Sequence, residues 1–428
     1  MRHVDALVCR ECGRRYEVIP EHACSYCFGP LEVTYDYDAI AASSLRATVS
    51  TGPSSLWRYA PLLPDPGGKR VDLGAGFTRL TEAPRLAAEL GMRKLWLKND
   101  GGNPTHSFKD RVVSVALTVA RAFGYEVAAC ASTGNLANAV AAHAAAAGMR
   151  SVVFIPQGLE RGKIAATSVY GGEVVEVEGS YDDANRLCAE LAGSKPWAFV
   201  NVNVRPFYAE GSKTLAFEIV EQLTWRAPAA VVAPIAAGSM LTKLDKGIRE
   251  LRDIGLLEAG AAPSLYGAQA EGCSPVAQAF LAGHDDVTPV KPNTVARSLA
   301  IGDPADGRYA LRAVRSSGGA IVAVPEGAVA DGILLLARTE GIFTETAGGV
   351  VVSALEQLVR TGAIDPGDET VLLITGVGLK TIEALPPARA THRIRPTVAD
   401  LERVFEPAAD PPQSLDLLTS TPETVPLS

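Results

Sequence analysis

NPTHSFKDR, Asn103 to Arg111, is the stretch on which the rest of this sequence turns. It sets one lysine, Lys109, just after a polar, turn-forming run and at the start of a helical segment that continues through ALTVARAFG. A lysine in that position can be desolvated, lose its proton and form a Schiff base, which a fully solvated surface lysine rarely does. For an isolated lysine, pairing with the adjacent Asp110 at a helix start is the commoner arrangement. What surrounds Lys109 decides between the two.

On both sides the chain alternates short apolar runs with longer helical segments. KLWLKN precedes Lys109; EVAACA, SVVFIP, EVVEV, WAFVNV, AVVAPI, LYGAQA, AIVAV and TVLLIT follow it as strands. GNLANAVAAHAAAAG, YDDANRLCAELAG, SKTLAFEIVEQL, SMLTKLDKGIRELRDIG, VADGILLLARTEG and VVVSALEQLVRTG read as helices, several closed by glycine. This is an α/β pattern: two three-layer αβα domains with mostly parallel sheets, each covered on both faces. At 428 residues the chain is long for a single core, which agrees with two principal domains and a small appendage.

Three further strand-to-helix turns carry chemistry-bearing residues. ACASTGNLANAV puts Ser132, Thr133, Gly134 and Asn135 at a helix start, where backbone N–H groups receive a carboxylate and the Asn135 amide reaches a ring phenolate; an ordinary N-cap is the plain alternative. VVAPIAAGSMLTKL carries Ala237, Gly238 and Ser239, small enough for backbone N–H groups to close on a phosphate, although no GxxxxGK[ST] loop occurs. In VLLITGVGLK a buried strand ends at Thr375 before Gly376 and Gly378, but a third glycine and a following βαβ unit are missing, so a dinucleotide fingerprint is rejected.

The first 27 residues hold four of the seven cysteines, as Cys9-x-x-Cys12 and Cys24-x-x-Cys27. Two such knuckles converge on a tetrahedral metal, and four thiolates favour zinc or iron. Residues 1–35 are therefore expected to be a zinc-ribbon-like module stapled by structural zinc, and, with all four positions of the tetrahedron closed, to stabilise the protein without joining its chemistry. Residues 36–75, rich in Ser, Pro and Gly, read as a connection over the main body. The last stretch, 406–428, has five prolines, four acids and no basic residue, and reads as a disordered tail.

With 47% hydrophobic and 21% charged residues the chain is a folded protein, and its net charge of −8 argues against broad attraction to nucleic acid or anionic lipid. The N-terminus lacks a secretory apolar region and no run is long enough to span a bilayer, so the expected setting is the cytoplasm.

The four turns in this order resemble the fold-type II pyridoxal-phosphate enzymes, and the spelling is most similar to the threonine synthase family. CRECG, FGPLEV, NPTHSFKDR, STGN, RPFYAEGSKTLAFE, GAQAEGCSPVAQAF, SLAIGDPADG, EGIFTETAGG and ITGVGLK carry the resemblance over nearly the whole chain. It implies a cofactor held on Lys109, with Phe108 as an apolar wall, Asn135 on the phenolate, and Ala237, Gly238, Ser239 and Met240 cradling the cofactor phosphate. Thr375 would face the pyridine nitrogen, a neutral hydroxyl that favours elimination and replacement over transamination. The implied reaction turns O-phospho-L-homoserine and water into L-threonine and phosphate.

Ser132 and Thr133 would take the substrate carboxylate. Arg205, aided by Asn201, Asn203 and Lys213, would take the substrate phosphate, since arginine presents a fork matched to phosphate. The resemblance further implies a homodimer, each chain divided into a large cofactor-binding domain, 36–115 with 210–405, and a smaller mobile domain, 116–209. Val377 stands where a polar residue is expected. A cysteate synthase-like or serine/threonine ammonia-lyase-like reaction on the same scaffold is the alternative.

Overall fold

The computed structural model describes residues 1–428 except 41, 160, 259–261, 387–390 and 406–428. The expected tail thus lies outside the described residues. Two compact units result, Met1–Leu385 and one from Pro386 onward. In the second, the helix Val398–Phe405 is anchored at its start by the Arg395–Asp400 ion pair at 2.7 Å.

The first unit is built on three sheets. The largest runs Ile321–Val324, Ser264–Ala270, Ala230–Pro234, Thr370–Ile374, Leu95–Asn99 and Leu80–Glu82 from edge to edge. Every neighbouring pair is parallel except the last, where Leu80–Glu82 lies antiparallel to Leu95–Asn99. A four-stranded parallel sheet follows the order Glu173–Val177, Arg150–Pro156, Val127–Ala131, Ala198–Phe199. The third is antiparallel, Arg15–Tyr16, Val4–Cys9 and Leu31–Tyr35, and belongs to the cysteine module.

The apolar runs become strands because parallel strands are covered on both faces: all five residues of Val127–Ala131, Ala230–Pro234 and Thr370–Ile374 are buried. WAFVNV yields only Ala198–Phe199. The Asn203 side chain accepts from the Phe199 N–H at 2.9 Å and donates to the Trp197 carbonyl at 3.0 Å, which turns the chain out of the ladder.

The helix Lys109–Ala122 packs on the helices Asn135–Ala147 and Arg205–Glu210, and the expected domain boundary at 115/116 falls inside it. Its first turn is fixed by buried charge. Arg111 has no exposed surface and bonds Asp100 at 2.7 Å and both Glu218 oxygens, while Lys98 reaches Glu218 at 2.6 Å. Burial would raise the Glu218 carboxyl, but the charges of Arg111 and Lys98 hold it down to about 2.

A folded-state value below the ordinary carboxyl range means that Glu218 contributes stability above about pH 4.5, lost as pH falls toward 2. Arg111→Met, which leaves Asp100 and Glu218 buried without their partner, should lower unfolding free energy by about 3–5 kcal/mol in urea titration at pH 7. A cost below about 1 kcal/mol would show that the network is not a structural keystone.

Candidate active site

A cavity of about 210 Å³ opens where the large parallel sheet, the four-stranded sheet and their following turns meet. Phe108 and Lys109 line it from the start of Lys109–Ala122, held in place by the Phe108 N–H donating to the Thr375 carbonyl at 2.8 Å. The Lys109 Nζ donates to the Tyr208 hydroxyl at 3.1 Å. Asp110 turns away, accepting from the Thr105 backbone at 2.9 Å and meeting His143 Nε2 at 3.0 Å. The simple Lys109–Asp110 pair is therefore absent. His106 is exposed, sits at φ +61° and shapes the turn before the lysine.

Ser132, Thr133 and Asn135 line the same cavity from the start of the helix Asn135–Ala147. The Ser132 hydroxyl accepts from the Gly134 and Ala137 N–H groups, both at 2.9 Å, so this turn is also a capped helix start. Gly134 has φ +128°, a backbone that other residues rarely adopt.

Ala237, Gly238, Ser239 and Met240 form the opposite wall, opening the helix Ser239–Asp253. Gly238 has φ +93°, and a Cβ there would lie 2.8 Å from the Asp306 backbone. The loop can therefore only pass with a glycine, and it sets the start of the helix Ser239–Asp253, the end at which a helix favours anions, on the cavity wall.

Thr375 ends the strand Thr370–Ile374, and its hydroxyl donates to Glu345 Oε1 at 3.0 Å. The other Glu345 oxygen accepts from Asn135 Nδ2 at 2.7 Å, and Lys380 Nζ donates to Asn135 Oδ1 at 3.0 Å. Arg205 and Asn201 also line the cavity; Arg205 Nη2 bonds Asp306 Oδ2 at 2.8 Å.

Lys213 and Asn203 are the two expected substrate residues that do not line it. Lys213 is fully buried between Glu210 at 2.7 Å and Glu250 at 2.8 Å, so its charge is already neutralised. Asn203 spends its amide on the turn at Phe199. Val377 does not line the cavity either.

Tyr208, Glu345, Asp306, Tyr181 and Asn185 are lining residues that the sequence reading did not assign. Tyr208, Asp306 and Glu345 lie within RPFYAEG, SLAIGDPADG and EGIFTETAGG, so their stretches were visible while their roles were not.

The donor set fits pyridoxal phosphate. A primary amine, a glycine-opened anion cradle and an amide surround the cavity, and Ser107 Oγ, Asn201 Oδ1 and Ser298 Oγ line it without a protein partner although buried. The cysteine cluster is separate. The Sγ atoms of Cys9, Cys12, Cys24 and Cys27 all lie within 4.8 Å of one another, with Cys9–Cys27 at 3.4 Å and Cys12–Cys24 at 3.7 Å. Those separations exceed a disulfide and approach the ~3.8 Å edge of a tetrahedron with metal–sulfur bonds of ~2.3 Å.

A lysine, a glycine-opened helix start and an α/β two-sheet scaffold around one cavity fit a cofactor-dependent enzyme. The chain belongs to the pyridoxal-phosphate dependent enzyme family, whose sequence model matches residues 71–376. It is 38% identical over 379 residues to the threonine synthase of Methanocaldococcus jannaschii, covering 88% of this chain and 93% of the relative. It is 38% identical over 374 residues to the threonine synthase of Methanosarcina acetivorans, covering 86% and 90%. The fold is similar to that of maize serine racemase, with a TM-score of 0.60 at 19% identity over 80% of this chain and 95% of that one.

Gly238→Ala should weaken pyridoxal-phosphate binding at least about tenfold in an absorbance titration, because the new Cβ displaces the loop from the Asp306 backbone or closes the cradle. Wild-type affinity in that variant would remove the loop from the cofactor site.

Proposed function

We propose that this chain is a threonine synthase, converting O-phospho-L-homoserine and water to L-threonine and phosphate. The observation that carries the reading is the gathering of Lys109, the 237–240 turn and a second cationic group, Arg205, around one cavity. One anion cradle serves the cofactor phosphate and Arg205 the substrate phosphate. Thirty-eight per cent identity to two threonine synthases over most of the chain supports the same choice.

Bound pyridoxal phosphate supplies the electron sink next to the substrate α-carbon. Lys109 would hold it, with Phe108 as an apolar wall, Asn135 toward the phenolate oxygen, Thr375 toward the ring nitrogen and Ala237 to Met240 around the phosphate. Ser132 and Thr133 bind the substrate carboxylate. Lys109 Nζ takes the α-proton, with the Tyr208 hydroxyl at 3.1 Å steadying the amine between transfers. Loss of a β-proton then expels phosphate from the γ-carbon toward Arg205, with Asn201 beside it. Protons then return to the γ-carbon and the α-carbon, and water adds its hydroxyl at the β-carbon while its own proton leaves with the phosphate, so the two protons taken from carbon are both replaced.

The four-stranded sheet with its helices, within 116–209, is the smaller mobile domain in this reading, and 36–115 with 210–405 the cofactor-binding domain. The enzyme is a cytoplasmic homodimer. All seven cysteines are unbridged, which suits a reducing compartment, and no described helix is long and apolar enough to cross a membrane.

The test is phosphate release from O-phosphohomoserine and O-phosphoserine side by side. Release from the first at least about a hundredfold faster, abolished in Lys109→Ala, is the expected result. Preference for O-phosphoserine would instead assign a cysteate synthase-like reaction. Borohydride reduction should attach the cofactor to Lys109, and attachment at Lys98 or Lys213 would refute the assignment.

The cysteine module is a structural zinc site in the same reading. Metal analysis should find one zinc per chain, and Cys24→Ser should remove it and lower the melting temperature, because a module with little core depends on its metal. A metal-free chain of unchanged stability would leave the knuckles without that role.

A further inference from the structure

The cysteine module borders the wall of the active site, where Arg10, His22, Pro30, Leu31 and Glu32 face Arg205, Ala209 and Asp306. Arg10 lies inside the first knuckle, between Cys9 and Cys12, and its N–H donates to the Pro30 carbonyl at 3.0 Å near the second. Its guanidinium stands 3.7 Å from the centroid of the Tyr309 ring, and its Nη1 lies 3.5 Å from Asp306 Oδ1. The neighbouring Glu11 accepts from the Tyr309 hydroxyl, so the knuckle grips the helix Gly307–Ser316 at two adjacent residues.

Asp306 is the shared element. Its Oδ2 holds Arg205 at 2.8 Å, its side chain is only 7% exposed, and its N–H donates to the Ala237 carbonyl at 2.8 Å. Arg205 and Asp306 alone sum to zero charge. A phosphate dianion drawn to that pair meets a carboxylate that both repels it and competes for the guanidinium. Arg10 brings these three groups to one positive charge and stands 3.5 Å from the carboxylate oxygen that Arg205 does not use, while Glu32 beside it is matched by Lys243 at 2.6 Å and Glu11 accepts from Tyr309.

We propose that Arg10 is a positioning residue for the substrate phosphate: by offsetting the Asp306 charge from the cysteine module it lessens the carboxylate's repulsion of a phosphate bound by Arg205. This rests on Arg205 as the phosphate anchor. It also revises the expectation that the module stays outside the chemistry, because a closed metal site still carries Arg10 on its ligand loop. Arg10 touches neither substrate nor cofactor, so its effect falls on phosphate affinity and leaves the proton transfers at Lys109 alone.

The holoenzyme with Arg10→Met, which retains the apolar stem over Tyr309, is the test. The KM for O-phosphohomoserine and the calorimetric Kd of inorganic phosphate should each rise about tenfold, with kcat within about twofold of wild type. Arg10→Lys should recover most of the loss. In Arg10→Met/Asp306→Asn the repelling carboxylate is gone and phosphate affinity should return, which repair of a merely docking contact would not produce.

Wild-type KM and Kd in Arg10→Met overturn the proposal, provided Arg205→Met weakens both. If Arg205→Met also binds phosphate normally, the anchor assignment fails and the proposal falls with it. Should Arg10→Met lose metal or stability, the double variant decides: weak phosphate binding that persists in it overturns the proposal, and recovered binding supports it.

Discussion

Arg111 is the charge on which the site depends. A guanidinium with no access to water must be matched in place by its partners, because an unpaired buried charge costs several kcal/mol. Its partners are Asp100, just beyond the strand Leu95–Asn99, and Glu218, in the helix Thr214–Gln222. Three segments are thereby pinned at one point. Lys109 stands two residues before that point, on the first helical residue, and Phe108 is tied to the end of the strand Thr370–Ile374. The close approach is enforced by size as well: a Cβ on Gly211 would lie 2.5 Å from the Arg111 carbonyl oxygen. The lysine is exact in position because the arginine behind it has nowhere else to go.

A second buried cluster joins the cysteine module to the body. Lys243 bonds Glu32 at 2.6 Å and Glu210 at 2.8 Å, while Lys246 bonds Glu210 at 2.8 Å. Lys213 completes the set with Glu210 and Glu250. Glu32 lies on Leu31–Tyr35, the third strand of the module, and the Tyr35 hydroxyl donates to Glu210 at 2.8 Å. Three lysines balance three glutamates, all buried except Glu32, which is half-buried at the edge of the cluster. Such a cluster contributes more to the specificity of docking than to net stability, since each group has given up its hydration to join it.

That cluster also marks where sequence reasoning ends. Parallel strands are legible because burial on both faces leaves an uninterrupted apolar run, as in Ala230–Pro234 and Thr370–Ile374. The turns at Gly134 and Gly238 are legible because only glycine suits them. Lys213 follows a motif as suggestive as the one around Arg205, yet nothing in its local sequence tells a lysine aimed at substrate from one consumed by Glu210 and Glu250. The helix Gly307–Ser316 is faint in the sequence because its buried side, Gly307, Ala310, Leu311, Ala313 and Val314, is built mostly of small residues, although their spacing is helical. Glu345 could not be assigned at all: its partners Asn135 and Thr375 lie 210 and 30 residues away.

Glu345 shows how the two sheets are made to share one site. Asn135 opens a helix that packs on the four-stranded sheet, whereas Thr375 ends a strand of the larger one, and each gives a hydrogen bond to a different oxygen of the same carboxylate. Lys380 bonds the other end of the Asn135 amide, so the amide can present its N–H₂ in only one sense. The helix Lys109–Ala122 adds a further tie: it packs on Asn135–Ala147, which covers the four-stranded sheet, while the Phe108 N–H at its start bonds the Thr375 carbonyl beside the larger one. Its buried middle cannot bend without breaking its own hydrogen bonds, so Lys109, Asn135 and Thr375 are held in one frame.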